Sequence, residues 1–342
     1  MKRLLMLAGL LLAVTLPAPS GWATKLVTYN YRGQARLGAI KGSNVIDLNR
    51  AYRMMLEERG RPRAEALAAA LVPANMLEFL QGQEESLREA QAALQFTRQM
   101  AGSAQGLERL KREGVWLVQS EVTFQAALPN PPHVLAIGQN YRKHIEEMGH
   151  VLGDAAQYPN VFSKHGSIIG PGETIRVPKI VENTDYEAEL VAVIGKPARN
   201  VTKETALDYV AGYIVGNDVT SRDFQNRTSQ WIVGKGPDTF TALGGYLVLK
   251  DEIPNPQSLK IGTRVGSEVL QDSNTELMIF TVADMIAYIS QVMTLEPGVI
   301  IFTGTPDGVG AGRTPPRWLK PGETVTVEIE KVGTLSNPIA RE

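Results

Sequence analysis

Residues 183–195 read NTDYEAELVAVIG. From Tyr186 onward this is the text of a buried β-strand, broken only by Glu187 and Glu189. Side chains in a strand alternate, so Glu187 and Glu189 share a face with Val191 and Val193. Tyr186, Ala188, Leu190, Ala192 and Ile194 form the other face. Both faces are apolar, as in a strand covered on both sides. Two like charges there are costly unless something cationic compensates. The bland alternative is a solvated edge strand, where alternating acids are common.

About thirty residues on, 209–225 read YVAGYIVGNDVTSRDFQ. Tyr209 to Val215 is again apolar and β-rich, and the run ends at Asp218. Two glutamates on one strand and an aspartate at a neighbouring strand end make an all-oxygen site. Oxygen sets suit hard cations such as Mg²⁺, Mn²⁺ or Ca²⁺. Zinc fits less well, since the chain has no cysteine and only 4 histidines.

Outward from these strands the 342-residue chain has ordinary globular composition, 43% hydrophobic and 21% charged. A formal net charge of -1 gives no footprint for nucleic acid or acidic lipid. The absence of cysteine rules out disulfides and thiolate chemistry. Residues 1–23, MKRLLMLAGLLLAVTLPAPSGWA, carry the marks of a secretory signal peptide. Lys2 and Arg3 start it, Leu4 to Leu16 form its apolar core, and Gly21 and Ala23 supply small residues for cleavage. The apolar run is short for a membrane span, so an uncleaved anchor is the lesser reading. The expectation is a periplasmic protein with no membrane contact once the leader is removed.

Residues 25–48 show short β-rich runs punctuated by Gly33 and Gly42, which predicts a small meander. Residues 51–112 are rich in helix formers, and EESLREAQAALQFTRQM (84–100) is the clearest helix, with acids early and Arg98 late. Pro129, Pro131 and Pro132 mark a stiff linker. Beyond it strands dominate, with helices predicted over 203–209, capped by Thr202, and over 282–291. The division is therefore 1–23 leader, 24–128 N-terminal α+β domain, and 129–342 catalytic domain.

Six blocks of the second domain carry a resemblance: GQNYRKHIEEM, PNVFSKHGSIIGPGETIRVP, DYEAELVAVIGK, AGYIVGNDVTSRDFQ, WIVGKGPDTFTALGGYLV and IFTGTPDGVG. In their order and spacing the chain resembles the fumarylacetoacetate hydrolase family. The resemblance implies an α+β, predominantly β fold, with a distorted β-barrel or β-roll catalytic core, and a homodimer. It implies Glu187, Glu189 and Asp218 as ligands of Mg²⁺ or Mn²⁺, with Ca²⁺ also admitted. Asn140 stands near the place where fumarylacetoacetate hydrolases proper carry a further ligand aspartate. That departure points to the three-carboxylate branch of acylpyruvate hydrolases, oxaloacetate decarboxylases and dienedioate isomerases.

His144 and Glu147 lie three apart, on one face if the segment is helical. An isolated His-x-x-Glu is more often a surface feature. The resemblance turns it into a catalytic pair, His144 as general base and Glu147 as its orienting carboxylate, on a segment that forms a lid in many members. Glu146 is the competing carboxylate. Lys235 is the candidate third catalytic residue, meeting a substrate carboxylate. Arg222, Gln225, Lys164 and Thr305 are candidate substrate contacts, although Arg222 could pair with Asp223 or a ligand glutamate, and Lys164 could balance the ligand carboxylates. Backbone N–H groups of the 304–308 turn are further candidate anion donors. His133, His150 and His165 are expected to be structural or exposed, and Trp231, Phe224 and residues 149–158 to shape substrate choice.

The expected partner is a small anionic 2-oxo acid. The expected reaction is hydrolysis of a C–C bond in a 2,4-dioxo acid of the acylpyruvate type, through an enolate stabilised by the cation. Oxaloacetate-type decarboxylation and 2-hydroxyhepta-2,4-diene-1,7-dioate isomerisation are the alternatives, since all share that enolate. A periplasmic 2-oxo-acid binding protein would keep the carboxylates and Lys235 without needing His144 and Glu147.

Overall fold

The computed structural model describes residues 25–151 and 157–342; the leader expected over 1–23 and part of the 149–158 segment lie outside them. The meander forms as the sequence predicts: strands Lys25–Tyr31, Gln34–Lys41 and Asn44–Asp47 pair in succession. Gly33 and Gly42 take the positive φ, 82° and 55°, that its two tight turns require. Asp47 ends the third strand and caps the helix Leu48–Glu58, its carboxylate accepting from the Arg50 N–H at 2.9 Å. Four more helices follow, the longest Gln83–Ala101, with Glu84 and Glu85 in its first turn and Arg98 in its last.

The quoted stretch begins with a break. Thr184–Asp185 pairs with Thr220–Ser221, and the main strand starts only at Ala188, so Glu187 lies at the junction of two short ladders. Ala188–Ile194 runs antiparallel to Val210–Asp218, with Glu189 opposite Gly216. On its other side is Ile300–Phe302, which pairs in parallel with Val134–Gly138. Beyond Val210–Asp218, strand Tyr246–Leu249 connects to Lys25–Tyr31. One sheet thus joins the N-terminal meander to the region after the proline linker.

Both faces of Ala188–Ile194 are covered, as its composition requires. Leu190, Ala192 and Ile194 share a core with Ile261, Val325, Val327 and Ile339 of a five-stranded second sheet. Val191 and Val193 share another with Met55, Phe79 and Leu94 of the N-terminal helices. The resulting architecture is α+β and predominantly β.

Of the two later helices, Val282–Ser290 forms, with a reciprocal cap between Thr281 and Asp284. The helix predicted over 203–209 does not; only a 3₁₀ turn, Ala206–Tyr209, is present. Thr202 spends its hydroxyl on that of Thr205 at 3.3 Å and so does not act as a cap. Among the described residues no helix is long and apolar enough to cross a membrane.

Candidate metal centre and active site

Glu187, Glu189 and Asp218 are buried, and each offers a carboxylate oxygen within 4.8 Å of the others. The strands set this up. Glu189 lies one residue into its strand and Asp218 ends the adjacent one, while the Asp218 N–H donates to the Glu187 carbonyl at 2.9 Å. The Asn217 side chain holds Glu187 in return, accepting from its N–H at 3.0 Å.

Three cations surround the carboxylates unequally. Glu187 accepts from Arg222 Nη2 at 2.6 Å and from Lys235 Nζ at 2.7 Å. Asp218 accepts from Lys235 Nζ at 2.8 Å and from Lys164. Among the described residues Glu189 is bonded to no cation and accepts only the Gly304 N–H, at 2.7 Å. Burial, Asp218 and Glu187 hold its carboxyl well above the ordinary range. Burial pushes Glu187 up too, but Lys235 and Arg222 outweigh it and bring its pKa down to about 2. Counted formally, with every group ionised, Asp185, Glu187, Glu189 and Asp218 against Arg222, Lys164 and Lys235 sum to one net negative charge. A divalent cation reverses that to one positive charge, which favours an anionic substrate.

The donor set is all oxygen, and Glu189 is the member that lacks a counter-charge. The Tyr141 hydroxyl, close enough to Glu189 to feel its charge, is buried without a hydrogen-bond partner among the described residues. These residues fit a hard divalent cation and not a thiolate-seeking one.

A cavity of about 400 Å³ opens over the carboxylates. Glu187, Glu189, Arg222, Gln225, Lys235, Thr305 and His144 give it a polar lining, and Ile137, Ile145, Met148, Phe162 and Trp231 an apolar one. His144 and Glu147 meet as the spacing predicts: helix Arg142–Glu147 brings Nδ1 to 2.8 Å from Oε1. Glu146 is exposed and outside the pair. An ionised carboxylate only accepts, so in the neutral imidazole this pairing puts the proton on Nδ1 and leaves Nε2 as the free acceptor.

Lys164 is buried behind Asp218, also donating to the Lys235 carbonyl at 2.6 Å, and does not line the cavity. It balances the carboxylates. Arg222 and Gln225 do line it, joined by Nη1 to Oε1 at 2.8 Å. Of the 304–308 turn, the end N–H groups serve the protein's own carboxylates: Gly304 donates to Glu189, and Gly308 to Glu147 at 2.8 Å. The anion expected at those two groups is therefore internal. Thr305 accepts from Gln271 Nε2 at 2.8 Å, which leaves its own hydroxyl hydrogen to give. Asn140 is no ligand, because its amide is consumed by the Phe280 and Thr303 carbonyls and the Phe280 N–H. His133 and His165 are exposed, whereas His150 is exposed and also borders the cavity. Trp231 lines it; Phe224 instead packs beneath Arg227.

Two residues went unread in the sequence. Asp185, fully buried, accepts from Arg222 Nε at 2.8 Å, Gly310 N–H at 2.7 Å and Ala311 N–H at 3.0 Å. It lies two before Glu187, so the extended alternation Asp-x-Glu-x-Glu was the available signal. Gln271, reaching in from the second sheet, ties the Ala188 N–H to Thr305 and the Pro306 carbonyl. No local pattern marks it.

Comparison with known proteins agrees with this geometry. Residues 133–340 match the fumarylacetoacetate (FAA) hydrolase C-terminal family model. An oxaloacetate tautomerase, fahd2 of Xenopus laevis mitochondria, is 38% identical over 301 residues, 87% of this chain and 83% of that protein. The oxaloacetate tautomerase YisK of Bacillus subtilis is 43% identical over 223 residues, 64% of this chain and 74% of its own. A fumarylacetoacetate hydrolase structure from Exiguobacterium antarcticum superposes with a TM-score of 0.70 at 29% identity, covering 93% of this chain and 99% of that one. The 2-hydroxyhepta-2,4-diene-1,7-dioate isomerase of Mycobacterium marinum gives 0.65 at 26% identity, covering 93% and 98%. By its six sequence blocks, its carboxylate cluster and these matches, the chain belongs to the fumarylacetoacetate hydrolase family.

Proposed function

We propose that the protein is a divalent-cation-dependent enzyme of small 2-oxo acids, and that its reaction is keto–enol tautomerisation of an oxaloacetate-type substrate. The observation that carries this reading is a carboxylate-paired histidine lining the same cavity as Glu187 and Glu189, on which the buried Asp218 converges. The names of relatives at 38% and 43% identity favour tautomerisation over the C–C hydrolysis expected from sequence.

Glu187, Glu189 and Asp218 would hold a hard divalent cation such as Mg²⁺ or Mn²⁺, which would supply Lewis acidity for the 2-oxo-carboxylate end of the substrate. The Thr305 hydroxyl donates to the substrate carboxylate, and Lys235 and Arg222 fix the lining against which it lies. His144 Nε2 takes the proton from C3, the C3–H bond breaks, and the same proton goes back to the 2-oxygen. Glu147 stabilises the charged imidazole between the two transfers. Hydrolysis of an acylpyruvate is the second reading, since the same nitrogen can take a proton from water.

The test follows enol absorbance of oxaloacetate with the purified protein, Mg²⁺ or Mn²⁺, and chelator, alongside an acylpyruvate and a dienedioate. Metal-dependent acceleration of enol loss, reduced about 10²- to 10⁴-fold in His144→Ala, is the expected result. Oxalate binding without any tautomerisation would overturn the reaction assignment.

A further inference from the structure

We infer that Gln139 is a specificity residue, contacting the part of the substrate beyond its 2-oxo-carboxylate group; this rests on the function proposed above. Gln139 has φ +60°, a left-handed conformation that L side chains rarely adopt. The other non-glycine residues with positive φ are Arg32, Arg63, Gln83, Asn200, Thr239 and Lys331, and none of these lines the cavity. Gln139 does. Glycine would take the same backbone without strain, so this backbone alone does not account for a glutamine. A strained residue at the wall of a site is a starting point for a functional assignment.

The strain is imposed from both sides. On one side Gly138 pairs with Asn160 and lies under the Trp231 indole, where a Cβ would come within 2.2 Å of the ring. That indole is braced edge-on by Phe162, with ring centroids 5.3 Å apart. On the other side the Asn140 side chain and carbonyl are locked to residues 279, 280 and 303. Between these anchors Gln139 has no freedom to relax. Its amide finds no hydrogen-bond partner among the described residues.

The chemistry of the lining says what that amide meets. The cationic lining groups, Lys235 and Arg222, are both bonded to Glu187. Gln139, Asn226 and Thr228 are neutral lining residues whose side chains make no bond to the ligand carboxylates, whereas Gln225 is tied to Arg222. An amide offers two N–H donors and no charge. It suits a terminal oxygen at the far end of the substrate, the second carboxylate of an oxaloacetate-type acid.

Two ligands separate this end from the carboxylate cluster. Oxalate carries only the metal-chelating half, whereas oxaloacetate carries both. With the full-length Mg²⁺-loaded protein, the dissociation constant of oxalate is measured by calorimetry and the KM of oxaloacetate by turnover. Gln139→Leu keeps the bulk and removes the amide; Gln139→Gly removes both and relieves the backbone. Both substitutions are expected to raise KM for oxaloacetate about 5- to 10-fold, the size of one lost hydrogen bond, with oxalate binding within twofold of wild type. Gln139→Gly is expected to melt no lower than wild type, so misfolding cannot mimic the result. Equal weakening of both ligands, or no change in either, would overturn the assignment to Gln139. Failure of the wild-type protein to bind oxalate or turn over oxaloacetate would instead reject the underlying function.

Discussion

At the residue scale, the question raised by two glutamates in an apolar strand resolves into three unequal carboxylates. Glu187 and Asp218 are neutralised by the chain's own cations; Glu189 is not. Glu189→Gln should therefore have effects of opposite sign on the metal-free and metal-loaded protein. Without metal it replaces a carboxyl, whose ionised form is disfavoured by burial, Asp218 and Glu187, with a neutral amide that still accepts from the Gly304 N–H, so the melting temperature in chelator should rise. With metal it deletes a ligand, so the stabilisation from excess Mg²⁺, about 2.7 kcal/mol at a hundredfold excess over Kd, should vanish. Thermal melts with and without Mg²⁺ decide it, and a lower apo melting temperature would contradict the charge assignment. Asp185→Asn tests the neighbouring pair. Arg222 keeps Glu187 but loses its second carboxylate, a buried pair broken on one side, and denaturant unfolding should show a loss of about 3 kcal/mol.

How much of this was legible divides along a physical line. Glu189 and Asp218 could be read because strand alternation and strand ends are local; Glu187, read by the same alternation, lies in the break before Ala188 and still reaches the cluster. His144 and Glu147 could be read because their spacing is that of a helix. The fate of the turn N–H groups could not, since Gly304 and Gly308 serve carboxylates 115 and 161 residues away in the chain. Lys164 was open between two roles for the same reason: only the folded chain shows it behind Asp218.

At the element scale, one loop couples the histidine helix to the carboxylate centre. Residues 308–312 receive Glu147 from one side, at the Gly308 N–H, and Asp185 from the other, at Gly310 and Ala311. Gly312 leaves the space that Glu147 occupies; a Cβ there would fall 2.6 Å from its carboxyl group. Gly312→Ala should displace Glu147, and with it the orientation of His144, while leaving the three ligands alone. The expected outcome is a fall in kcat of about 10-fold, milder than the roughly 10²-fold or more of losing the base, with Mg²⁺ affinity within twofold. Steady-state kinetics paired with a metal titration check this, and a matching loss of metal affinity would deny the loop its coupling role. The two predicted late helices make the same point about local reading. Thr281 caps its helix because Asp284 reciprocates, whereas Thr202 has a second threonine three residues on and forms a turn instead.

At the scale of the whole molecule, the sequence divides at the prolines but the hydrogen bonding does not. Strand Lys25–Tyr31 pairs with Tyr246–Leu249, so the meander is part of the catalytic sheet. The N-terminal helices cover the sheet face that carries Val191, Val193, Ile214, Leu247, Ile300 and Phe302, all fully buried. Burial of such side chains is worth roughly 1.5–3 kcal/mol each, on the order of 10 kcal/mol together even after allowing for a compact unfolded state. That is comparable to the whole net stability of a domain, about 5–15 kcal/mol. Residues 129–342 expressed alone should therefore not form a soluble, cooperatively unfolding protein, although they contain every candidate catalytic residue. Adding residues 24–128 as a separate chain should restore solubility and Mg²⁺-dependent oxalate binding. A 129–342 fragment that melts cooperatively and binds oxalate unaided would show that the second sheet and its core are sufficient, and that the helices on the Val191 face contribute far less than their buried area implies.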